Sequence, residues 1–129
     1  MQFVEKAEKI IESRIEEYHQ ELESVLNGGD ISKYNYCPSD DKEDINFENR
    51  LRLAIAIIYA SEGMDVEILT VSLMNEEIKF LENALYGGTS TTIFLLSIKM
   101  LEYKKASYKQ LFKRFKNANF DCWFECDIE

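Results

Sequence analysis

Apolar residues recur at intervals of three and four through most of this chain, which is the period of an amphipathic α-helix. The first such stripe runs as far as the Asn-Gly-Gly sequence at 27–29, where glycine allows a helix to end in a left-handed turn. The stripe consists of Val4, Ala7, Ile11, Ile15, Tyr18, Leu22 and Val25. The pattern predicts one long surface helix at the start of the chain.

Three further helices are predicted with different clarity. The segment 46–62 contains the nearly continuous apolar run LAIAIIYA, which is typical of a helix packed on more than one side. The segment 91–105 follows TSTT, whose hydroxyl side chains suit a helix start. Ser107 and Gln110 form a capping-box pattern that predicts a last helix ending near Asn117.

The segment 65–86 is ambiguous at its beginning. Its first residues, VEILTVSLM, are rich in the β-branched residues that favour strands. As a helix it would carry an apolar stripe interrupted by one acid, Glu77. The alternatives are therefore a single long helix, two helices with a break near Asn75, or a strand over 65–74.

The end of the chain follows a different pattern, because NFDCWFECDIE alternates strictly between apolar and polar residues. This alternation predicts an extended strand paired with 66–73 or 31–36, with Phe120 and Phe124 facing inward. Its outer face would carry an aromatic anchor among carboxylates, namely Asp121, Trp123, Glu125 and Asp127. The alternative is that Trp123 packs on the last predicted helix while the acids pair with Lys109, Lys113 and Lys116. Together the patterns predict a mainly α protein, one domain over 1–129 with about five helices in antiparallel hairpins, and allow a short C-terminal β element.

Composition narrows the class of protein. The chain has 129 residues, 46% of them hydrophobic, which is enough to bury a core. No run approaches the roughly 18 apolar residues that a membrane span needs, so we expect no membrane contact. The first residues, MQFVEKAEKI, lack a basic head followed by an apolar stretch. This predicts a cytoplasmic location.

Few residues suggest catalysis or metal binding. The three cysteines are Cys37, Cys122 and Cys126, and one C-x3-C pair is a weak zinc pattern, so we expect reduced cysteines and no metal. His19 is the only histidine and lies within the first predicted helix. No nucleophile signature and no phosphate-binding loop is present. We therefore expect a protein that is not an enzyme and has no cofactor.

The charge is strongly uneven. The net charge of −9 divides into −11 over 1–98, +6 over 99–116 and −4 over 117–129. The basic stretch is either a phosphate-binding face or a solvated face paired within the molecule. Because the rest of the molecule repels phosphate, we expect no direct binding of nucleic acid.

A long polar loop, DISKYNYCPSDDKED over 30–44, separates the first two predicted helices. Its acids could steer a basic protein partner toward the molecule, and its tyrosines could contact that partner. The predicted contact residues of this loop are Tyr34, Tyr36, Asp40, Asp41, Glu43 and Asp44.

A small, acidic, mostly helical chain with an acidic loop and an acidic aromatic end resembles the immunity proteins of bacterial toxin systems. The resemblance covers the character of the whole chain and no individual motif. It implies a non-catalytic protein that blocks a basic toxin domain, such as a nuclease. Two alternatives remain open at this point, a phage-encoded inhibitor or DNA mimic acting on a nucleic-acid-binding enzyme, and a small helical enzyme or metal-binding protein.

Overall fold

The structure is a computed structural model that describes residues 2–39, 43–60, 63–84, 88–103, 105–119 and 122. These residues form five α-helices: α1 (Gln2–Leu26), α2 (Phe47–Ile58), α3 (Glu67–Glu82), α4 (Thr91–Tyr103) and α5 (Lys109–Lys116). Two short 3-10 turns, Ser32–Tyr34 and Ala106–Tyr108, precede α2 and α5. Within these ranges there is no β-strand, apart from an isolated antiparallel bridge between Pro38 and Asp44. The predicted all-α class with five helices is confirmed.

Helix α1 ends where the sequence predicts. Gly28 has a φ of 94°, a conformation that glycine adopts without a steric penalty. The second half of α1 packs on α2 through Tyr18, Leu22 and Val25, and Leu22 is completely buried. Every residue from 2 to 14 is exposed, so the first half of the predicted stripe contacts nothing in the described part of the molecule.

Helix α2 occupies the centre of the molecule, since it packs against α1, α3 and α4. Its residues Leu53, Ala54 and Ile57 are fully buried. The run LAIAIIYA therefore lies in the helix that the sequence predicted to be packed on more than one side. None of the helices in the described ranges is both long enough and apolar enough to cross a bilayer.

Helix α3 is continuous from Glu67 to Glu82, which decides between the alternatives for this segment. Its residues Leu69, Leu73 and Leu81 fall on one side of the helix and are buried. Packing against α4 thus overrides the strand preference of the β-branched residues. Asn75 caps no second helix, because its side-chain amide donates to the Val71 carbonyl within the helix, 3.0 Å away.

The two last helices begin differently. Ser90 precedes α4, and its hydroxyl accepts a hydrogen bond from the Ile93 amide at 3.1 Å, as the TSTT sequence predicts. The capping box predicted for the fifth helix does not form, because Ser107 lies inside a 3-10 turn. α5 then begins at Lys109 without a side-chain cap.

The predicted C-terminal strand lies outside the described residues, apart from Cys122. That residue is buried. Its amide donates to the Asn119 side chain at 2.9 Å. The Asn119 amide group in turn donates to the carbonyls of Leu81 and Gly88, at 3.1 and 2.9 Å. Asn119 therefore attaches the chain after α5 to the end of α3 and to the connection between α3 and α4.

Candidate partner-binding loop

A buried arginine joins the long polar loop to the helical core. The Arg50 side chain on α2 has no exposed surface. Its Nε donates to Glu77 Oε1 on α3 at 2.8 Å, and one Nη donates to the Tyr34 carbonyl at 3.2 Å. The other Nη forms an ion pair with the Asp44 carboxylate of the loop. We call Asp44, Arg50 and Glu77 the buried ionic cluster.

The cluster extends to a fourth element. The Ser90 hydroxyl, which caps α4, donates to Glu77 Oε2 at 2.6 Å. One connected set of polar contacts therefore joins the loop, α2, α3 and the start of α4. All three charged side chains have zero exposure, so the cluster can hold these elements together but cannot contact a dissolved substrate.

The electrostatics of the cluster are unbalanced, because two buried carboxylates face one guanidinium. Burial raises the pKa of Glu77, and the nearby Asp44 carboxylate acts in the same direction. The Arg50 guanidinium and the Ser90 hydroxyl oppose this shift by stabilising the charged form. Folding therefore leaves Glu77 easier to protonate than an ordinary glutamate.

The same cluster determines the path of the loop. Asp44 Oδ1 accepts hydrogen bonds from the Cys37 amide at 3.0 Å and from the Asn46 amide at 3.1 Å. The Ile45 amide donates to the Cys37 carbonyl at 3.0 Å, and the Ser39 amide donates to the Glu43 carbonyl at 2.7 Å. These bonds hold the two sides of the loop together as a narrow neck on either side of 40–42.

Hydrogen bonds also attach the part of the loop that contains Tyr34 and Tyr36 to the rest of the molecule. The Asn46 side-chain amide donates to the Asn35 carbonyl at 2.8 Å. The Tyr36 amide donates to Glu76 Oε1 on α3 at 3.0 Å. The Tyr34 hydroxyl donates to Glu21 Oε1 on α1 at 2.5 Å. Burial, together with Glu21, strongly raises the pKa of the Tyr34 phenol.

Two predicted contact residues lie in the interior, so their expected place on the binding surface is corrected. Tyr34 is completely buried because its ring completes the core between α1 and α2. Asp44 is buried because it neutralises Arg50. Tyr36 is half-buried and Glu43 is exposed, so both remain accessible. The other predicted contact residues, Asp40, Asp41, Asp121, Trp123, Glu125 and Asp127, lie outside the described residues.

Sequence reasoning missed Arg50 and Glu77 as partners. A signal existed for Glu77, since it is the one acid in the apolar stripe of α3. Arg50 stands one turn into α2, the central helix, where an unpaired charge would be very costly. A lone charge on each of two buried helix faces is a pattern from which an ion pair could have been inferred.

The basic stretch is partly neutralised within the molecule. Lys105 pairs with Glu67 at 2.6 Å, and Arg114 pairs with Glu82 at 2.7 Å. Lys109 and Lys113 are exposed. Elsewhere on α5, Phe112 and Phe115 are buried.

Among the described ranges, no group of three or more histidine, cysteine or acidic side chains is arranged to hold a metal ion. His19 lies on α1 beside Glu23, with 2.9 Å between Nε2 and Oε1, and both side chains are partly exposed. The chain matches no protein-family model, no curated protein and no solved structure at a significant level.

Proposed function

We propose that this chain is a non-catalytic binding protein that neutralises a basic protein partner, most concretely as an immunity protein that blocks a toxin domain in the bacterial cytoplasm. The observation that carries the proposal is the polar loop between α1 and α2, a segment of acidic composition whose neck is fixed by the buried ionic cluster. The contact residues proposed here are Tyr36, Asp40, Asp41 and Glu43. The acids and Trp123 of the C-terminal segment are proposed as a second contact region.

The buried ionic cluster is a poor device for stability alone. Removing charges from water has a large cost, and a well-packed apolar set of equal volume is often as stable or more so. What a buried charge set can supply is one defined arrangement, since each charged group needs its partners in place. Here the arrangement that it defines is that of the loop.

A loop with a fixed neck is useful for binding. When the residues that flank a binding segment are already held in place, less conformational freedom is lost as a partner arrives, so more of the contact energy appears as affinity. Carboxylates on that segment raise the rate at which a basic partner associates. The net charge of −11 over 1–98 attracts the same partner from a distance.

Co-expression tests the proposal. The chain is expressed in bacterial cells together with the product of the reading frame adjoining its own gene, and growth is measured. An immunity protein restores growth that the second product inhibits, and it is then recovered as a complex with that product. A second product without effect on growth, or toxicity that the chain does not relieve, would contradict the proposal.

A charge-matched pair of variants tests the loop itself. Asp40→Asn, Asp41→Asn and Glu43→Gln together should slow association with the toxic product, most clearly at low salt. The control removes three exposed acids elsewhere, Glu16→Gln, Glu23→Gln and Glu102→Gln. Equal slowing in both variants would show that net charge matters and that the loop does not.

A further inference from the structure

The first half of α1 carries an apolar face that nothing in the described molecule covers. Every residue from 2 to 14 is exposed, whereas the second half of the same helix packs on α2. The apolar side chains of the first half keep most of their surface in water: Phe3 87%, Val4 53%, Ile10 62% and Ile11 56%. A helical segment of this length is marginally stable in water by itself, so its apolar face calls for a packing partner.

The positions of these residues form a self-complementary pattern. At 100° per residue they lie within about 120° of arc, with the small residue Ala7 at the centre. Phe3 and Val4 stand four and three residues before Ala7, and Ile10 and Ile11 stand three and four residues after it. Two antiparallel copies crossing at Ala7 therefore place Phe3 at the level of Ile11 and Val4 at the level of Ile10, twice. Along the shared edges, Phe3 then packs beside Ile10 of the second copy and Val4 beside Ile11.

A two-fold symmetric contact requires this kind of pattern, because residue i must meet residue j while j meets i. The alanine at the crossing point lets the two backbones approach closely, and the larger side chains on either side fill the seam. The pattern is a property of the helix itself and does not depend on the polar loop.

The rest of the molecule selects the antiparallel orientation. The face that carries Ala7 continues along α1 to Tyr18 and Leu22, where α2 covers it. Two parallel copies would bring both helical bodies to the same level on the inner side, where they would collide. Antiparallel copies place the bodies at opposite ends, each roughly 16 Å from the crossing point at 1.5 Å per residue.

We propose that residues 3–11 of α1 form a two-fold, antiparallel helix–helix interface with a second copy of this chain. The charges at the edges of this interface predict how salt affects the dimer. Lys6 flanks the apolar face on one side and Glu8 flanks it on the other. In this orientation each edge meets the same edge of the second copy, so like charges approach. Salt screens that repulsion, and the dimer should therefore become tighter as the salt concentration rises.

Sedimentation equilibrium of the full chain from low to high micromolar concentration measures the dissociation constant. We expect a reversible dimer in the wild type, tighter at high than at low salt. Ile10→Glu should raise the dissociation constant at least ~tenfold, because it places a charge in the seam. The control is Ile98→Glu on the outer face of α4, where a similarly exposed isoleucine should tolerate the change.

Cross-linking tests the register. In a chain with Cys37→Ser and Cys126→Ser, Ala7→Cys should form an intermolecular disulfide under mild oxidation. Glu5→Cys, on the far side of the same helix, should not. A monomer at every concentration, a dimer that loosens with salt, disruption by Ile98→Glu alone, or equal cross-linking at positions 5 and 7 would each overturn the proposal. Circular dichroism establishes that each variant remains folded.

Discussion

The described part of the irregular loop before α2 has more contacts with the core than the first half of the regular helix that precedes it. The loop forms hydrogen bonds to α2 and α3 and contains a residue of the buried ionic cluster. The first half of α1 is a regular helix, yet every residue from 2 to 14 is exposed. Local regularity and attachment to the core are therefore separate properties in this molecule.

The difference has a simple physical origin. A helix satisfies its backbone groups internally, so it can form wherever the local sequence permits. An irregular segment must find partners for its backbone elsewhere, and buried side chains such as Asp44 and Asn46 supply them here. The loop is thus attached to the core by the hydrogen bonds that its irregular backbone requires.

The largest expected loss of stability follows from Arg50→Met. This substitution retains the approximate volume of the side chain and removes its charge. Asp44 and Glu77 would be left buried without their counter-ion. We expect a loss of about 3–5 kcal/mol in the free energy of unfolding, measured by urea denaturation. The control is Arg114→Met, whose partner Glu82 is about as exposed as Arg114 itself. Its expected cost is at most about 1 kcal/mol. Similar losses in both variants would show that the buried ionic cluster does not anchor the loop.

A smaller effect should follow from the raised pKa of Glu77. The folded state binds the proton of the Glu77 carboxyl group more tightly than the unfolded chain does. The stability that the proton contributes is complete below the ordinary glutamate value of 4.5 and is lost as the pH rises through the raised pKa. Glutamine at position 77 cannot titrate. The free energy of unfolding of Glu77→Gln, taken relative to wild type, should therefore increase from pH 4.5 to 7.5.

Glu67 provides the matched control, because its hydrogen bond to Lys105 lowers its pKa. The stability contributed by its charged form is present above the ordinary value and is lost as the pH falls through the lowered pKa. Glu67→Gln, relative to wild type, should show the opposite slope, confined to the acid end of the range. A flat or falling difference for Glu77→Gln would contradict the account of the buried ionic cluster.

The smallest effect on the free energy of unfolding should come from a substitution in the first half of α1. Phe3→Ala truncates a side chain that is 87% exposed. At a concentration where the chain is monomeric, we expect its free energy of unfolding to change by less than about 0.5 kcal/mol. Ile57→Ala, at a fully buried position of α2, should cost about 2–5 kcal/mol in the same measurement. A large loss for Phe3→Ala would mean that the start of α1 packs on the body of its own molecule.

Periodicity in the sequence predicted the helices well. The apolar spacing and the glycine stop gave α1 its end at Leu26, and the run LAIAIIYA marked α2 as the central helix. Ser90 was within a recognisable capping sequence before α4. These features depend on neighbours in the sequence, which is why they could be inferred without the fold.

The candidate site was predicted less well. Tyr34 and Asp44 belong to a polar, acidic segment, and composition alone placed them at the surface. Their burial depends on Glu21 and Arg50, which lie 13 residues before Tyr34 and 6 residues after Asp44. Pattern reasoning over a single segment contains no information about such partners.

By itself, the sequence determined a mainly α class with about five helices and most of their boundaries, because helix formation and termination are governed by residues within a few positions of one another. Only the tertiary structure decided that 65–74 is helical, that Arg50 and Glu77 are partners, and that one half of the α1 stripe is covered while the other half is not. Each of these depends on which surfaces meet in space. Burial and charge pairing are properties of two segments at once, and no single stretch of sequence specifies them.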